Sequence, residues 1–393
     1  MSNEANGLDR RDFMIFAAAG ATALASTVAA ASAQETATTT EAAAGEGTIY
    51  TGDTIDGKKV VRALDVNDLE PGRHHLYFEG VQRLAGQHWY ISVVAVKGAN
   101  PGKCVALTSG VHGDEMSPIH CIQTVLDQLD PSAMSGTVLA VLDVSRAALE
   151  GMARRWPNSG RGIDLIDMNR EWPGNENGPN AASRHAWLVF NRLLKPNADY
   201  ALDFHTAATG MDATGFHLAD MTNPEVKAMA ELFPIDQIFD DPAYPTLLAN
   251  ALIAEGIPAL TPEIGNPRIL DHEMIASFVE GTMNVLRLHG LISSPMGRTG
   301  KDSDIFIASI MGASIATHGG FLELLVGLND KVEVGQKVAI QRNAFGEVVA
   351  EYTSPVTGEV GARRTDASVE PGTPFLFFLM QGATTPDDED YPE

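Results

Sequence analysis

Between about Gly57 and His289 the chain alternates short, continuous apolar runs with longer segments of helical spacing. The runs "CVALTSG", "TVLAVLDV", "YALDFHT", "GFHLAD" and "IPALTPEIG" read as strands. A run that is apolar at nearly every position, rather than every second one, has both faces covered, as in a parallel sheet packed between helices. Helical spacing occupies "MSPIHCIQTVLDQLD", ended by Pro131, "YPTLLANALIAEG", stopped by Gly256, and "LDHEMIASFVEGTMNVLRLHG", stopped by Gly290. "DGKKVVRALDV" and "HWYISVVAVKG" read as edge strands feeding the same sheet. The alternation predicts an α/β domain over residues 57–300, with a mixed, largely parallel sheet flanked by helices.

After "SSPMGRTGKDSD" the helical period disappears. Short β segments punctuated by Gly and Pro predict a separate small β domain over residues 305–380. The last stretch, 381–393, ends in "PDDEDYPE" and reads as a solvated acidic tail. At the other end, paired Arg10 and Arg11, a short Ala- and Thr-rich apolar stretch and Ala31-Ser32-Ala33 before Gln34 form a signal-peptide pattern over residues 1–33. The arginine pair points to twin-arginine export, and so to a periplasmic or secreted protein without a membrane anchor after cleavage. Residues 34–56 read as a disordered spacer.

Composition excludes some partners. The 393 residues are 44% hydrophobic and 20% charged, with a net charge of −24. So acidic a surface argues against nucleic acid and anionic membranes. It says little about a small substrate. With only Cys104 and Cys121 a cysteine-type zinc site is excluded. A disulfide and two buried thiols are both compatible with the pattern.

The chemistry lies at strand ends. His112 and Glu115, in "GVHGDEMSP", follow the strand "CVALTSG"; His205 ends "YALDFHT"; Glu263 ends "IPALTPEIG". In open α/β sheets ligands bind at the carboxyl ends of strands, near a switch in strand order. Two imidazoles and one carboxylate make a zinc set with a coordination position left for water. His112, Glu115 and His205 therefore read as ligands of one zinc ion per chain, and Glu263 as the spare carboxylate that carries a proton. Taken singly, Glu115 also suits a helix first turn, His205 a core position and Glu263 a pair with Arg268. Of the other histidines, His120 falls mid-helix and reads as structural, while His217 could line the cleft. In "RGIDLIDMNREWPGN", Asn169 and Arg170 suit a substrate carboxylate, and Arg161 suits a carbonyl oxyanion. Which of Arg154, Arg155 and Arg161 faces the substrate is left open.

"HGDE", "DMNREWPG", "DFHT" and "TPEIG", in that order, resemble the succinylglutamate desuccinylase/aspartoacylase family of the wider zinc-carboxypeptidase group. The resemblance implies a zinc-carboxypeptidase-like fold with a C-terminal barrel-like β domain similar to biotinyl/lipoyl domains, acting as a lid or structural barrel. The turn in "SPVTGEVGARR" has no lysine, so no carried biotin or lipoate is expected. The resemblance implies the same roles for His112, Glu115, His205, Glu263, Asn169 and Arg170. It also implies an amidohydrolase that deacylates a small N-acyl amino acid. The alternatives are an exported zinc carboxypeptidase and a non-catalytic, zinc-stabilised ligand-binding protein. Homo-oligomerisation is left open.

Overall fold

The computed structural model describes residues 47–157, 165–241, 246–303 and 305–382. The expected signal peptide, most of the spacer and most of the acidic tail lie outside them. Among the described residues, twelve strands precede the C-terminal unit: β1 (Ile49–Ile55), β2 (Lys58–Ala63), β3 (Gly72–Gln82), β4 (His88–Lys97), β5 (Asn100–Thr108), β6 (Ser135–Val141), β7 (Tyr200–Asp203), β8 (Met211–Ala213), β9 (Gly215–Ala219), β10 (Gln237–Asp240), β11 (Ala259–Ile264) and β12 (Phe306–Ala308). All but β8 join one sheet in the order β1-β2-β3-β4-β6-β5-β7-β11-β9-β10-β12. From β6 through β5 and β7 to β11 the pairing is parallel, and β11–β9 is antiparallel.

The continuous apolar runs are buried on both faces, as their pattern requires. Along β5, Cys104 and Ala106 enter one core while Val105 and Leu107 enter the other. On the first face the sheet packs on the helices Ala181–Val189 and Leu248–Ala254 through Ala182, Ala186, Val189, Leu248 and Leu252. On the second it packs on the helices Met116–Asp127 and His272–Leu288 through Ile122, Val125, Phe278 and Val285. The last helix shows its sequence signals plainly. Asp271 accepts the Met274 N–H at 3.0 Å as N-cap, worth about 1 kcal/mol, and Gly290 takes the positive φ of 73° just past its end. Cys104 and Cys121 are free and lie on opposite faces of the sheet, which explains why they do not pair.

Three expectations shift. The spacer is shorter than 34–56, because Ile49–Ile55 is a strand held antiparallel to β2, with Thr48 tied to Asp65 and Asp68. Neither "DGKKVVRALDV" nor "HWYISVVAVKG" is an edge strand, because β2 lies between β1 and β3 and β4 between β3 and β6. The β domain starts later than 305, because β12 pairs parallel with β10 in the main sheet.

The C-terminal unit comprises β13 (Ile310–Ile315), β14 (Gly320–Leu324), β15 (Lys331–Val332), β16 (Lys337–Arg342), β17 (Val348–Thr353), β18 (Gly358–Arg364), β19 (Ser368–Val369) and β20 (Pro374–Met380). They form two sheets, β13-β20-β18-β15 and β17-β16-β14-β19. Between them Val338, Val360, Phe375 and Phe378 are fully buried. β8 leaves the main domain to pair with β18, so the two units share a ladder.

Candidate active site

β5, β7 and β11 are parallel neighbours, so their carboxyl ends share one edge. The chain runs from β5 to β6 on one side and later returns to β7 on the other. The switch point therefore falls between β5 and β7, where a crevice opens. His112 follows β5 and His205 follows β7. Beyond β5, Gly110 takes φ +69°, which side chains rarely adopt, and a Cβ there would lie 3.0 Å from Asp143 Cα and from the Leu142 carbonyl oxygen. At Gly113 a Cβ would lie 2.2 Å from the Ala148 carbonyl carbon. Both glycines press the "HGDE" loop onto its neighbours. Glu115 stands at the N-cap of the helix Met116–Asp127 but makes no capping bond with its side chain. Its carboxylate turns toward the crevice instead.

There it meets both imidazoles. His112 Nδ1 lies 2.8 Å from Glu115 Oε1, His205 Nδ1 lies 3.0 Å from Glu115 Oε2, and the two Nδ1 atoms are 3.2 Å apart. One ligand atom from each residue falls within 4.8 Å of the others. The outer nitrogens are held by carboxylates: His112 Nε2 by Asp167 Oδ1 and His205 Nε2 by Asp203 Oδ2, each at 2.9 Å. Asp203 is fixed in turn by the Thr108 hydroxyl, which donates to Oδ1 at 2.6 Å. Carboxylates behind imidazoles orient the rings and raise their basicity toward a metal.

The residues fit a divalent cation on their own chemistry. Burial opposes protonation of both imidazoles, yet Asp203 and Glu115 raise the pKa of His205 well above its usual value, and Glu115 and Asp167 raise that of His112. The two Nδ1 atoms and the Glu115 carboxylate stand close enough for a single cation to take the place of the ring protons between them. Two imidazoles and a carboxylate suit a first-row divalent ion of zinc type.

The remaining groups surround this centre. Arg154 donates from Nη1 to Glu115 Oε1 at 2.7 Å and reaches Asp114 Oδ1 at 3.4 Å, while its buried Nε has no partner. Burial works against the Glu115 and Asp167 carboxylates, but His112 and Arg154 hold both well below the usual range, helped by His205 at Glu115 and by Arg170 at Asp167. Glu263 behaves in the opposite way. Burial pushes it up to about 7, and the charge of Glu115 adds to the effect against the pull of His205 and Arg154. One edge thus carries an ionised carboxylate and one that holds a proton near neutrality, an arrangement that separates metal binding from proton transfer.

Glu263 is held beside His205 by the bonds His205 N to Pro262 O and Ile264 N to His205 O, each 2.8 Å. It does not pair with Arg268, which donates to Thr209 Oγ1 and Met152 O. Asn169 is buried, with Oδ1 accepting the Leu248 N–H at 3.0 Å. Asn169, Arg170, Arg154, His112, His205 and Glu263 all line one cavity of about 430 Å³, to whose wall β18 and β20 add Ala362, Arg364, Pro374 and Phe377. Arg161 lies outside the described residues; of Arg154 and Arg155, it is Arg154 that lines this cavity, with Arg170 and Arg364. His217 points away from the cavity and packs between Phe233 and Phe278. His120 stacks edge-on against His272 on an outer helix pair.

Sequence reasoning missed Asp167, Asp203 and Asp114. The first two sit inside the motifs already singled out, two residues before Asn169 and His205. A carboxylate that close to a candidate ligand was the available signal. Asp114 is fully buried and accepts from the Thr209 N–H and hydroxyl, tying "HGDE" to the loop after His205.

A switch-point cavity with a buried His-Glu-His set places the molecule among α/β proteins with a candidate metal site at the strand ends. Residues 101–289 match the model of the succinylglutamate desuccinylase/aspartoacylase catalytic domain, and over that stretch the chain is similar to that family. It is 28% identical over 294 residues to an N-alpha-acetyl-L-2,4-diaminobutyric acid deacetylase of Halomonas elongata, covering 72% of this chain and 83% of that protein. The succinylglutamate desuccinylase/aspartoacylase of Rhodobacter sphaeroides superposes with a TM-score of 0.70 at 22% identity, over 82% of this chain and 98% of the other. The product-bound ectoine utilization protein EutE (DoeB) of Ruegeria pomeroyi gives 0.70 at 21%, over 79% and 96%. These two likenesses establish the fold.

Proposed function

We propose that the protein is a zinc-dependent hydrolase that cleaves the amide bond of a small N-acyl amino acid. The observation that carries this reading is the meeting of His112, Glu115 and His205 beside a carboxyl, Glu263, that holds a proton near neutral pH. The relative from Halomonas elongata, named for the deacetylation of an N-acetylated diamino acid, supports it.

His112, Glu115 and His205 would hold the ion. When bound, zinc supplies a Lewis acid and lowers the pKa of a coordinated water toward about 7. The protein's own groups do the rest. With its pKa near 7, Glu263 is ionised in about half the molecules at neutral pH, and that form takes a proton from the attacking water and delivers it to the departing nitrogen. Arg154, which lines the cavity beside Glu115, stabilises the charge that develops on the carbonyl oxygen. Asn169 and Arg170 bind the substrate carboxylate, fixing the amide between Glu263 and the ligand set. The C-terminal unit covers the cavity and favours a small substrate over a peptide. The pattern of Arg10, Arg11 and Ala31-Ser32-Ala33 supports export to the periplasm or beyond.

The test joins metal analysis of the purified protein to hydrolysis assays on N-acyl amino acids and short peptides. Stoichiometric zinc, with loss of amide cleavage on chelation and return on zinc addition, is expected. Peptides cleaved faster than every N-acyl amino acid would replace the deacylase reading with a carboxypeptidase one. Zinc retained without any cleavage would leave a ligand-binding protein.

A further inference from the structure

The proposed catalytic groups occupy one end of the cavity; strand register decides what forms the rest. β9 runs antiparallel to β11 with Phe216 opposite Glu263 and Leu218 opposite Thr261. Directly paired residues project to the same face, as do residues two apart on a strand. Phe216 and Leu218 therefore stand on the face that carries Glu263, while His217 and Pro262 turn away. The same logic holds where the domains meet. β8 pairs with β18, Met211 opposite Arg364 and Ala213 opposite Ala362. These four line the cavity, whereas Asp212 and Arg363 pair with each other on the opposite face. Phe377 of β20, opposite Ala362, completes the surface.

The result is one apolar wall of Phe216, Leu218, Ala213, Met211, Ala362 and Phe377. It starts beside Glu263 and crosses from the main sheet onto the C-terminal unit. Among the described residues of these strands it carries no charged group until Arg364 at its outer end. A cavity of about 430 Å³ falls in the range that encloses drug-sized ligands, about 300–1,000 Å³. A charged side chain laid on this wall would lose its water and gain no partner.

We propose that the preferred substrates are N-acyl amino acids bearing an aliphatic or aromatic group larger than acetyl, which lies along this wall. The inference rests on the amide-hydrolase reading of the same site and adds the chemical class of the substrate. That apolar group belongs either to the acyl chain or to the amino-acid side chain, and the experiment separates the two.

Two homologous series are assayed with the full zinc-loaded protein. In one, N-acylglycines lengthen from acetyl to octanoyl. In the other, N-acetyl amino acids grow from alanine through norvaline and norleucine to phenylalanine, with N-acetylaspartate and N-acetyl-2,4-diaminobutyrate as charged comparators. kcat/KM is expected to rise about tenfold or more per methylene in one series, the lower end for an apolar pocket, and to exceed that of both charged comparators. The series that rises names the source of the group. Binding of the same compounds is read calorimetrically on the Glu263→Gln variant, which needs no turnover. Tighter binding of the apolar members is expected there, and Leu218→Gln should flatten the dependence on chain length. Flat series, or charged comparators preferred in binding or turnover, overturn the proposal. Apolar preference in binding with no cleavage of any amide would sink the hydrolase reading and leave the wall as inferred.

Discussion

Asp203 touches no substrate, yet its replacement by Asn tests the candidate metal site sharply. Asp203 is buried between two donors, with the Thr108 hydroxyl 2.6 Å from Oδ1 and His205 Nε2 2.9 Å from Oδ2. In Asp203→Asn the amide oxygen keeps the Thr108 bond and the NH₂ turns toward the imidazole. Nε2 must then accept, so the ring proton moves to Nδ1. That is the atom 3.0 Å from Glu115 and 3.2 Å from His112 Nδ1. A protonated Nδ1 cannot ligate. Outer-shell carboxylates of this kind are worth about 10- to 100-fold in metal affinity, or roughly 1.4–2.7 kcal/mol. Volume and shape are conserved, so folding should survive. Competition with a chromogenic chelator measures zinc affinity, and circular dichroism verifies the fold. Affinity within twofold of the unsubstituted protein, with the fold intact, would refute His205 as a ligand through Nδ1.

Glu263→Gln should lower turnover by about 10²- to 10⁴-fold, the usual contribution of a positioned acid–base group, with zinc content unchanged; unchanged turnover removes Glu263 from the mechanism. Gly113→Ala drives a methyl into the backbone of Ala148 and Ala153, so a loss of about 1–3 kcal/mol in denaturant unfolding is expected, together with weaker zinc binding as the "HGDE" loop shifts. His185 gives a pH signature. Burial pushes it down to about 4, and its nitrogens are satisfied in the neutral form, Nδ1 accepting from the Val81 N–H and Nε2 donating to Val144 O. Between about pH 6.5 and 4 the unfolded chain binds the extra proton and the folded one does not, so stability from this residue is present above that window and falls as the pH drops, by about 3 kcal/mol in all. His185→Gln should flatten that part of the stability–pH curve; an unchanged slope counts against a neutral, buried ring.

The sheet was legible because its strands are apolar throughout. β5, β6, β7, β9 and β11 could be read directly, and their ends carried His112, His205 and Glu263. β3 and β10 were not singled out, because nothing in their local pattern marks them off; their place depends on pairing with distant strands. β12 was assigned to the C-terminal unit because a three-residue strand has too little pattern to show which sheet it joins. Asn169 and Arg170 were legible as a motif, but the position of Arg154 was not. Its guanidinium reaches Glu115 only because the chain after the short helix Arg146–Glu150 folds back under the "HGDE" loop, where Gly113 N bonds Arg154 O at 3.1 Å. The apolar wall was equally hidden, since it is assembled from strands of both units.

The ladder between β8 and β18 has a mechanical consequence. Met211–Ala213 is hydrogen-bonded to Ala362–Arg364, flanked by Thr214 N to Gly361 O at 3.0 Å and Thr365 N to Gly210 O at 2.9 Å. Swinging the C-terminal unit away would break these backbone bonds together and expose apolar surface on both sides. The ladder thus rivets the part of the cavity wall that β18 supplies, Ala362 and Arg364, to the strand that supplies Met211 and Ala213, so neither half of that wall shifts without the other.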